Sequence, residues 1–348
     1  MYTLKDYLKY YKNVPINKVD INDIDNLLFS TLVYLPIKSF ETKMNLSDFI
    51  TYSTHHKVLP NYSAMGEKAF EILDLIKSSE RYKNLVVSDF INVRNEMYQF
   101  GAVRLELGKN TIIAFKGTDA SSIGWFENFR LGYKYPTSTQ EQAISYLKKT
   151  IKKSDKKIYI TGHSKGGNLA LVSAYEMNSL VLKRISKVYN FDGPGLLKKQ
   201  YESEKYNAIK SKIKNIVPTG SVVGMLLYNE NYEVVQSENF AFYEHYPTSW
   251  NIFGEFFVEG KLSKLSNKLH LNTIDALEEL NETELEEAIE TIIKKLDKKY
   301  DDKFEFNLID FKNIIKNMKD VDPKVIKYLT DVFTCIFNIT NSNEKGNG

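Results

Sequence analysis

Ile158-Tyr159-Ile160-Thr161-Gly162-His163-Ser164-Lys165-Gly166-Gly167-Asn168-Leu169-Ala170 is the stretch whose reading decides the fold. An apolar β-type run enters a glycine-rich turn, and a helix of small and apolar residues leaves it. A serine between the glycines of G-x-S-x-G, at a strand-to-helix turn, has the form of a nucleophile elbow. The physics sets the residue types. Gly162 and Gly166 carry no Cβ, so strand and helix can approach closely. Ser164 then projects at a helix N-terminus, where free N–H groups and the helix dipole favour developing negative charge.

The flanking sequence supplies the rest of a sheet. Leu85-Val86-Val87, Phe90-Ile91-Asn92-Val93, Tyr98 to Leu105 and Thr111 to Phe115 read as short strands, with a tight turn at Gly108-Lys109-Asn110. A helix is predicted over 140–153, a strand over 157–161, a helix over 167–178 and a strand over 187–191. Strands alternating with helices mean parallel βαβ units, so the centre of the chain is α/β. The first 80 or so residues read as helices: Leu4, Tyr7, Leu8 and Tyr11 on one, Ile24, Leu27, Leu28 and Leu32 on the next, and a third over 63–77. After Trp250 amphipathic helices return, over 272–280, 283–298, 307–318 and 323–336. The expected organisation is a main domain over 1–265 that includes the N-terminal helices, a C-terminal helical extension over 266–340, and a frayed polar tail over 341–348.

Composition narrows the function classes. The 348 residues carry 47 Lys+Arg against 44 Asp+Glu, a net charge of +3, with 43% hydrophobic and 26% charged residues. That is an ordinary globular balance and excludes collagen-like, low-complexity and wholly disordered chains. A charge of +3 is too weak to imply a nucleic-acid partner. The single cysteine, Cys335, excludes an intramolecular disulfide framework and fits a reducing compartment. Met1-Tyr2-Thr3-Leu4-Lys5-Asp6-Tyr7 has no export-type apolar core, and Val222-Val223-Gly224-Met225-Leu226-Leu227 is far short of the ~20 residues that span a bilayer. A cytoplasmic location is expected. With no clustered ligand set, neither a metal nor another cofactor is expected.

A serine hydroxyl needs a base, and five histidines are available. His163 adjoins the serine and should pack beside the turn. His55 and His56 lie in a polar stretch, and His270 approaches a C-terminal helix. His245, in Glu244-His245-Tyr246-Pro247, falls in a late loop beyond the last β-like run, where the order Ser, acid, His puts the base. The alternative is a loop histidine near Trp250 with a purely structural part. Under that order the acid is Asp192, in Phe191-Asp192-Gly193-Pro194-Gly195 at the carboxyl end of a strand, the edge where ligands bind in open parallel sheets. An Asx-type turn is the plain alternative, and Glu233, Glu238 and Glu244 are weaker acids for the same place. The oxyanion donors expected are the N–H of Lys165 and, from the loop after Thr111–Phe115, the N–H and hydroxyl of Thr118. An ST-turn explains Thr118 equally well.

Together these residues look like the class 3 lipase group of α/β-hydrolases, and resemble more closely a bacterial family of lipase-like proteins. The matching pieces are Phe115-Lys116-Gly117-Thr118-Asp119 with Trp125, the elbow, Tyr189 to Gly195, Val217-Pro218 with Ser221 to Leu227, and His245 with Ser249-Trp250. Leu4-Lys5-Asp6-Tyr7-Leu8 and Tyr34-Leu35-Pro36 fit as well, so the likeness spans most of 1–270. It implies an α/β-hydrolase fold with a mostly parallel central sheet, Ser/Asp/His cleavage of acyl esters, and an oxyanion donor on Thr118. Two departures stand out. Class 3 lipases carry the acid just before a Val-Pro pair, where this chain has Asn215-Ile216, so the acid moves to Asp192. Lys165 also replaces the apolar residue usual after the nucleophile.

The expected substrate is therefore an acyl ester or lipid, with a thioesterase or peptidase, or an inactive fold used as a binding module, as alternatives. Trp125, Phe126, Phe129 and Tyr133 lie where lipases carry a lid. Trp125 with Val222, Met225 and Leu226 is the candidate substrate-binding set, against the plainer reading of simple core. Lys148, Lys149, Lys152, Lys153, Lys156 and Lys157 offer a transient contact with a membrane surface. A solvated helix face explains them equally well.

Overall fold

The computed structural model describes residues 2–58, 64–119, 121–297, 308–318 and 321–341, without the side chains of 64, 241, 242, 308, 309 and 335–341. The thiol of Cys335, the helix ends expected at 63, 298 and 307, and the tail from 342 onward lie outside the described residues. Four N-terminal helices come first: α1 (Leu4–Tyr11), α2 (Asp23–Leu32), α3 (Leu46–His55) and α4 (Ala64–Ile76). The third was not read from the sequence. Its signal is the cap at Asn45, whose side chain accepts from Asp48 N–H at 2.9 Å.

Eight strands stand side by side in chain order: β1 (Met44–Asn45), β2 (Val86–Arg94), β3 (Gln99–Leu107), β4 (Asn110–Phe115), β5 (Lys157–His163), β6 (Ile185–Phe191), β7 (Ile213–Pro218) and β8 (Tyr232–Val235). Pairing is antiparallel from β1 to β4 and parallel from β4 to β8. The two runs expected over 85–87 and 90–93 are one strand. Its register shifts between Ser88 and Ile91, and Asp89 between them has φ +51°, a bulge that breaks the apolar alternation.

Parallel pairs need crossovers. These are α5 (Ser122–Arg130) and α6 (Ser138–Thr150) before β5, then α7 (Lys165–Tyr175) and α8 (Ser179–Leu182) before β6, then α9 (Lys198–Tyr201) and α10 (Glu204–Ile209) before β7. A small hairpin, β9 (Ile252–Phe253) with β10 (Phe256–Phe257), precedes α11 (Lys264–Glu279), α12 (Glu282–Asp297), α13 (Leu308–Lys316) and α14 (Pro323–Asn341). Helix α11 begins at Lys264 rather than 272, because Ser263 caps it by accepting from Ser266 N–H at 3.0 Å. This is the architecture of the α/β-hydrolase fold.

The two-residue period of the strands divides the core. Val103, Leu105, Ile112, Ala114, Tyr159 and Tyr189 pack under the N-terminal helices. Ala102, Ile113, Phe115, Ile158, Ile160 and Val188 pack under α6 and α7. A third cluster joins Phe126 and Phe129 of α5 to Ile289, Phe311, Leu329 and Phe333 of the C-terminal helices.

One ionic knot holds the N-terminal helices. Asp25 on α2 and Arg81 after α4 are fully buried and form a bidentate pair. Tyr7 and Tyr82 donate to the same carboxylate at 3.1 and 2.5 Å, while Arg81 also donates to the Val14, Val19 and Asp20 carbonyls. Removing one partner strands a buried charge, so Arg81→Leu should cost about 3–5 kcal/mol of unfolding free energy. Urea denaturation measures it, and a loss below 1 kcal/mol or so would show the pair to be dispensable.

Candidate active site

Strand β5 ends at His163 and α7 begins at Lys165, which leaves Ser164 at the turn with φ +59° and ψ −133°. Non-glycine residues rarely adopt that conformation, and such strain concentrates at functional positions. It survives because the crossing is too tight to relax. A Cβ on Gly162 would collide with the Gly166 carbonyl, and one on Gly166 with the Phe115 carbonyl. Neither position tolerates anything but glycine.

Asp192 stands one residue past β6, fully buried, also with a left-handed φ of +47°. Its Oδ2 accepts from His245 Nδ1 at 2.6 Å. Its Oδ1 accepts from the Ser221 hydroxyl and from the Gly224 N–H, the latter at 3.1 Å. A carboxylate only accepts, so the proton of His245 is on Nδ1 and Nε2 is the basic nitrogen. Ser164 and His245 line one cavity of about 260 Å³. The weaker acids sit elsewhere: Glu233 pairs with Lys214 at 3.1 Å, and Glu244 accepts from Gly220 N–H at 2.8 Å.

The sequence reading missed three supports. Ser221 and Gly224 hold the Asp192 carboxylate, although 222–227 reads as an apolar run; the signals are a serine three residues before a glycine and the likeness of 221–227 to the lipase-like family. Tyr34 carries no sequence signal beyond the likeness of Tyr34-Leu35-Pro36 to the lipase-like family. Its hydroxyl accepts from Gly117 N–H at 3.0 Å and lies 3.3 Å from His163 Nδ1. His163 does pack beside the turn, but it is also a link: its Nε2–H donates to the His245 carbonyl at 2.7 Å. Burial, and then the charge of nearby His245, hold His163 well below the usual histidine range, so it is neutral. A neutral ring with Nε2–H donating leaves Nδ1 as an acceptor, and the Tyr34 hydroxyl lies 3.3 Å from both that nitrogen and the His163 carbonyl. The other histidines are elsewhere: His55 is exposed, His56 stacks on Tyr52, and His270 Nδ1 donates to the Met225 carbonyl at 2.9 Å.

The other expected residues divide. Thr118, Lys165, Trp125 and Leu226 line the cavity. The Thr118 hydroxyl donates to Asn128 Oδ1 at 2.9 Å, which leaves its N–H as the donor on offer. Met225 is instead fully buried with Val217 and Leu269, and Val222 packs between that cluster and the C-terminal helices. Val223 and Leu227 take their place beside Leu226 because the 3₁₀ turn Val223–Met225 rotates the run. Of the surface lysines, Lys149, Lys152 and Lys157 pair with Glu41, Glu106 and Asp20 at 2.9, 3.5 and 2.7 Å, which favours the solvated-face reading. Among the described residues no three His, Cys, Asp or Glu side chains cluster as metal ligands, and no helix is long and apolar enough to cross a membrane.

Sheet order, elbow and the Asp192–His245 pair define the class as α/β-hydrolase fold. A family model described as Mbeg1-like matches residues 76–294, and the chain belongs to the Mbeg1-like family. No curated protein matches its sequence. Among solved structures it is similar to the Rhizomucor miehei lipase propeptide complex, at 14% identity and TM-score 0.37 over 62% of this chain and 68% of that one. It is also similar to the Lip2 lipase of Yarrowia lipolytica, at 12% and 0.35 over 63% and 80%. The M37 lipase is 14% identical with TM-score 0.36 over 97% of this chain and 99% of that one. All three are distant.

The Lys165 side chain, which stands where an apolar residue is usual, is buried. Its ammonium turns to Gln99 Oε1 on β3, at 3.1 Å, beside buried Lys116. Burial is the main cause that brings Lys165 down to about 8, with Lys116 adding to the fall and Glu127 and Asp119 opposing it. A depressed lysine pKa means stability that is present above the unfolded value and lost as pH falls through the folded one. Lys165→Met should therefore stabilise the protein at pH 7 by on the order of 1–3 kcal/mol, a gain that fades between about pH 8 and 10.5. Denaturation at neutral and alkaline pH measures it; a Met variant less stable at neutral pH would contradict the assignment.

Proposed function

We propose that this protein is a serine hydrolase that cleaves carboxylic acyl esters, of esterase or lipase type and akin to the class 3 lipases. The observation that carries the reading is the 2.6 Å hydrogen bond from His245 Nδ1 to buried Asp192, in a site whose cavity also holds the strained Ser164. His245 Nε2 takes the Ser164 hydroxyl proton as Oγ attacks the ester carbonyl. The C–O bond to the leaving alcohol breaks, and the alcohol departs with that proton. Water then attacks the acyl-enzyme by the same route, releases the acid and restores the serine. Asp192 keeps the proton on Nδ1 and stabilises the imidazolium that forms. The N–H groups of Lys165 and Thr118 stabilise the oxyanion, worth about 2.7–4 kcal/mol per donor in other hydrolases. The extension over 266–340 acts with the 1–265 domain as one catalytic unit, because α12 and α14 wall the same cavity. One cysteine in the chain accords with work in a reducing cytoplasm.

A fluorophosphonate should label the full-length protein covalently and lose that reaction in Ser164→Ala. A folded, unreactive wild type would leave the fold as a binding module. Asp192→Asn should keep the fold and lower kcat by about ten-thousand-fold, since the amide favours the wrong imidazole tautomer. His163→Phe removes the donor that places the His245 carbonyl and should lower kcat by about a hundredfold with little change in KM. An unchanged kcat would assign His163 to packing alone.

A further inference from the structure

The cavity beside Ser164 has unlike walls. Thr118, Ser164 and His245 stand on its polar side. The same cavity is lined by Trp125 and Phe129 from α5, Ile289 from α12, and Leu329, Val332 and Phe333 from α14. The apolar wall is tied together by ring contacts and an ion pair. Phe333 lies 4.7 Å from the Phe129 ring and stacks on Phe311 at 4.1 Å. Arg130 at the end of α5 clamps Glu290 of α12 through two bonds, 2.7 and 3.0 Å. Tyr328, Leu329, Val332 and Phe333 fall at helical spacing on one face of α14, and Val332 is only half-buried where Leu329 and Phe333 are sealed in the cluster.

We propose that the space between α5 and α14 is an acyl-chain site for one unbranched chain of medium length, and that α14 sets that length. The inference rests on the serine-hydrolase reading above. Its occupant follows from the wall chemistry: Asp119, Asn128 and Tyr328 also border the cavity, but five apolar side chains and an indole with a single N–H make most of this wall, and they remove a hydrocarbon chain from water while offering few partners to a charged or sugar-like group. The site is continuous with the carbonyl position at Ser164, so the chain that enters it is the one being transferred. Size bounds it as well. An apolar cavity of about 150 Å³ takes benzene, so the whole cavity of about 260 Å³, the part beside Ser164 included, holds at most roughly ten carbons with the ester group counted among them. A triacylglycerol's other two chains must then stay outside. Each methylene buried should raise kcat/KM by about fourfold until the pocket is full.

Soluble acetate, octanoate and palmitate esters, hydrolysed by the full chain, test the proposal alongside fluorophosphonate labelling. Octanoate should be preferred. Val332→Trp should lower the octanoate-to-acetate ratio of kcat/KM by about tenfold or more, while Val332→Ala should move the preference toward palmitate. Should the bulky variant fail to fold, the alanine variant decides alone. Ratios that do not move, in variants that still label at Ser164, would overturn the acyl site and leave the hydrolase reading standing. A wild type that neither labels nor turns over any ester would overturn both.

Discussion

Two backbone hydrogen bonds at the carboxyl edge of the sheet underlie the rest of the site. Ser164 N–H donates to the Phe191 carbonyl and Asp192 N–H to the Ile216 carbonyl, both at 2.9 Å. They prolong the parallel ladders of β5, β6 and β7 by one step, just where each chain leaves its strand. Two residues with left-handed φ are thereby locked side by side. A turn in solution would relax out of that conformation; here the ladder and the glycine contacts over-determine it. The strain at Ser164 is held by the ladder and the tight strand–helix crossing together rather than by any single contact.

The acid and the base depend on that edge in different ways. Asp192 is buried, and a lone buried carboxylate is costly. Ser221, Gly224 and His245 together supply its hydrogen bonds, so the charge is offset within the site. His245 has no strand to hold it and rides on a 3₁₀ turn, Ala241–His245. Its placement comes from Asp192 on the ring and from His163 on the carbonyl. Through Tyr34, the same chain of contacts reaches Gly117 beside Thr118. Ser164, His245 and the Gly117–Thr118 loop are thus tied together by two buried side chains from the elbow and the N-terminal segment.

The C-terminal helices belong to this site as well as to their own cluster. Phe126 and Phe129, in the segment that resembles a lipase lid, are buried against α12, α13 and α14. Helix α5 is therefore sealed against the C-terminal helices. Opening it would expose apolar surface from two layers at once, a cost that an isolated surface helix does not carry.

Local physics determined much of this protein from its sequence alone. Glycine spacing around Ser164, the alternation of strands with helices, and the positions of Asp192 and His245 after the elbow all follow from steric and chain-order rules that act within a few residues or one crossover. Length and charge balance excluded whole classes of chain. Tertiary structure decided what depends on contacts distant in sequence. Tyr34 and His163 meet across 129 positions, and Ser221 reaches Asp192 across 29. The ammonium of Lys165, adjacent to the serine, turns instead to Gln99, because a helix N-terminus aims the backbone and the side chain in different directions. Met225 exchanged places with Val223 through one 3₁₀ turn, a rotation that composition cannot foretell. The amphipathic pattern of α14 was plain in the sequence, but a pattern names a buried face without naming what covers it.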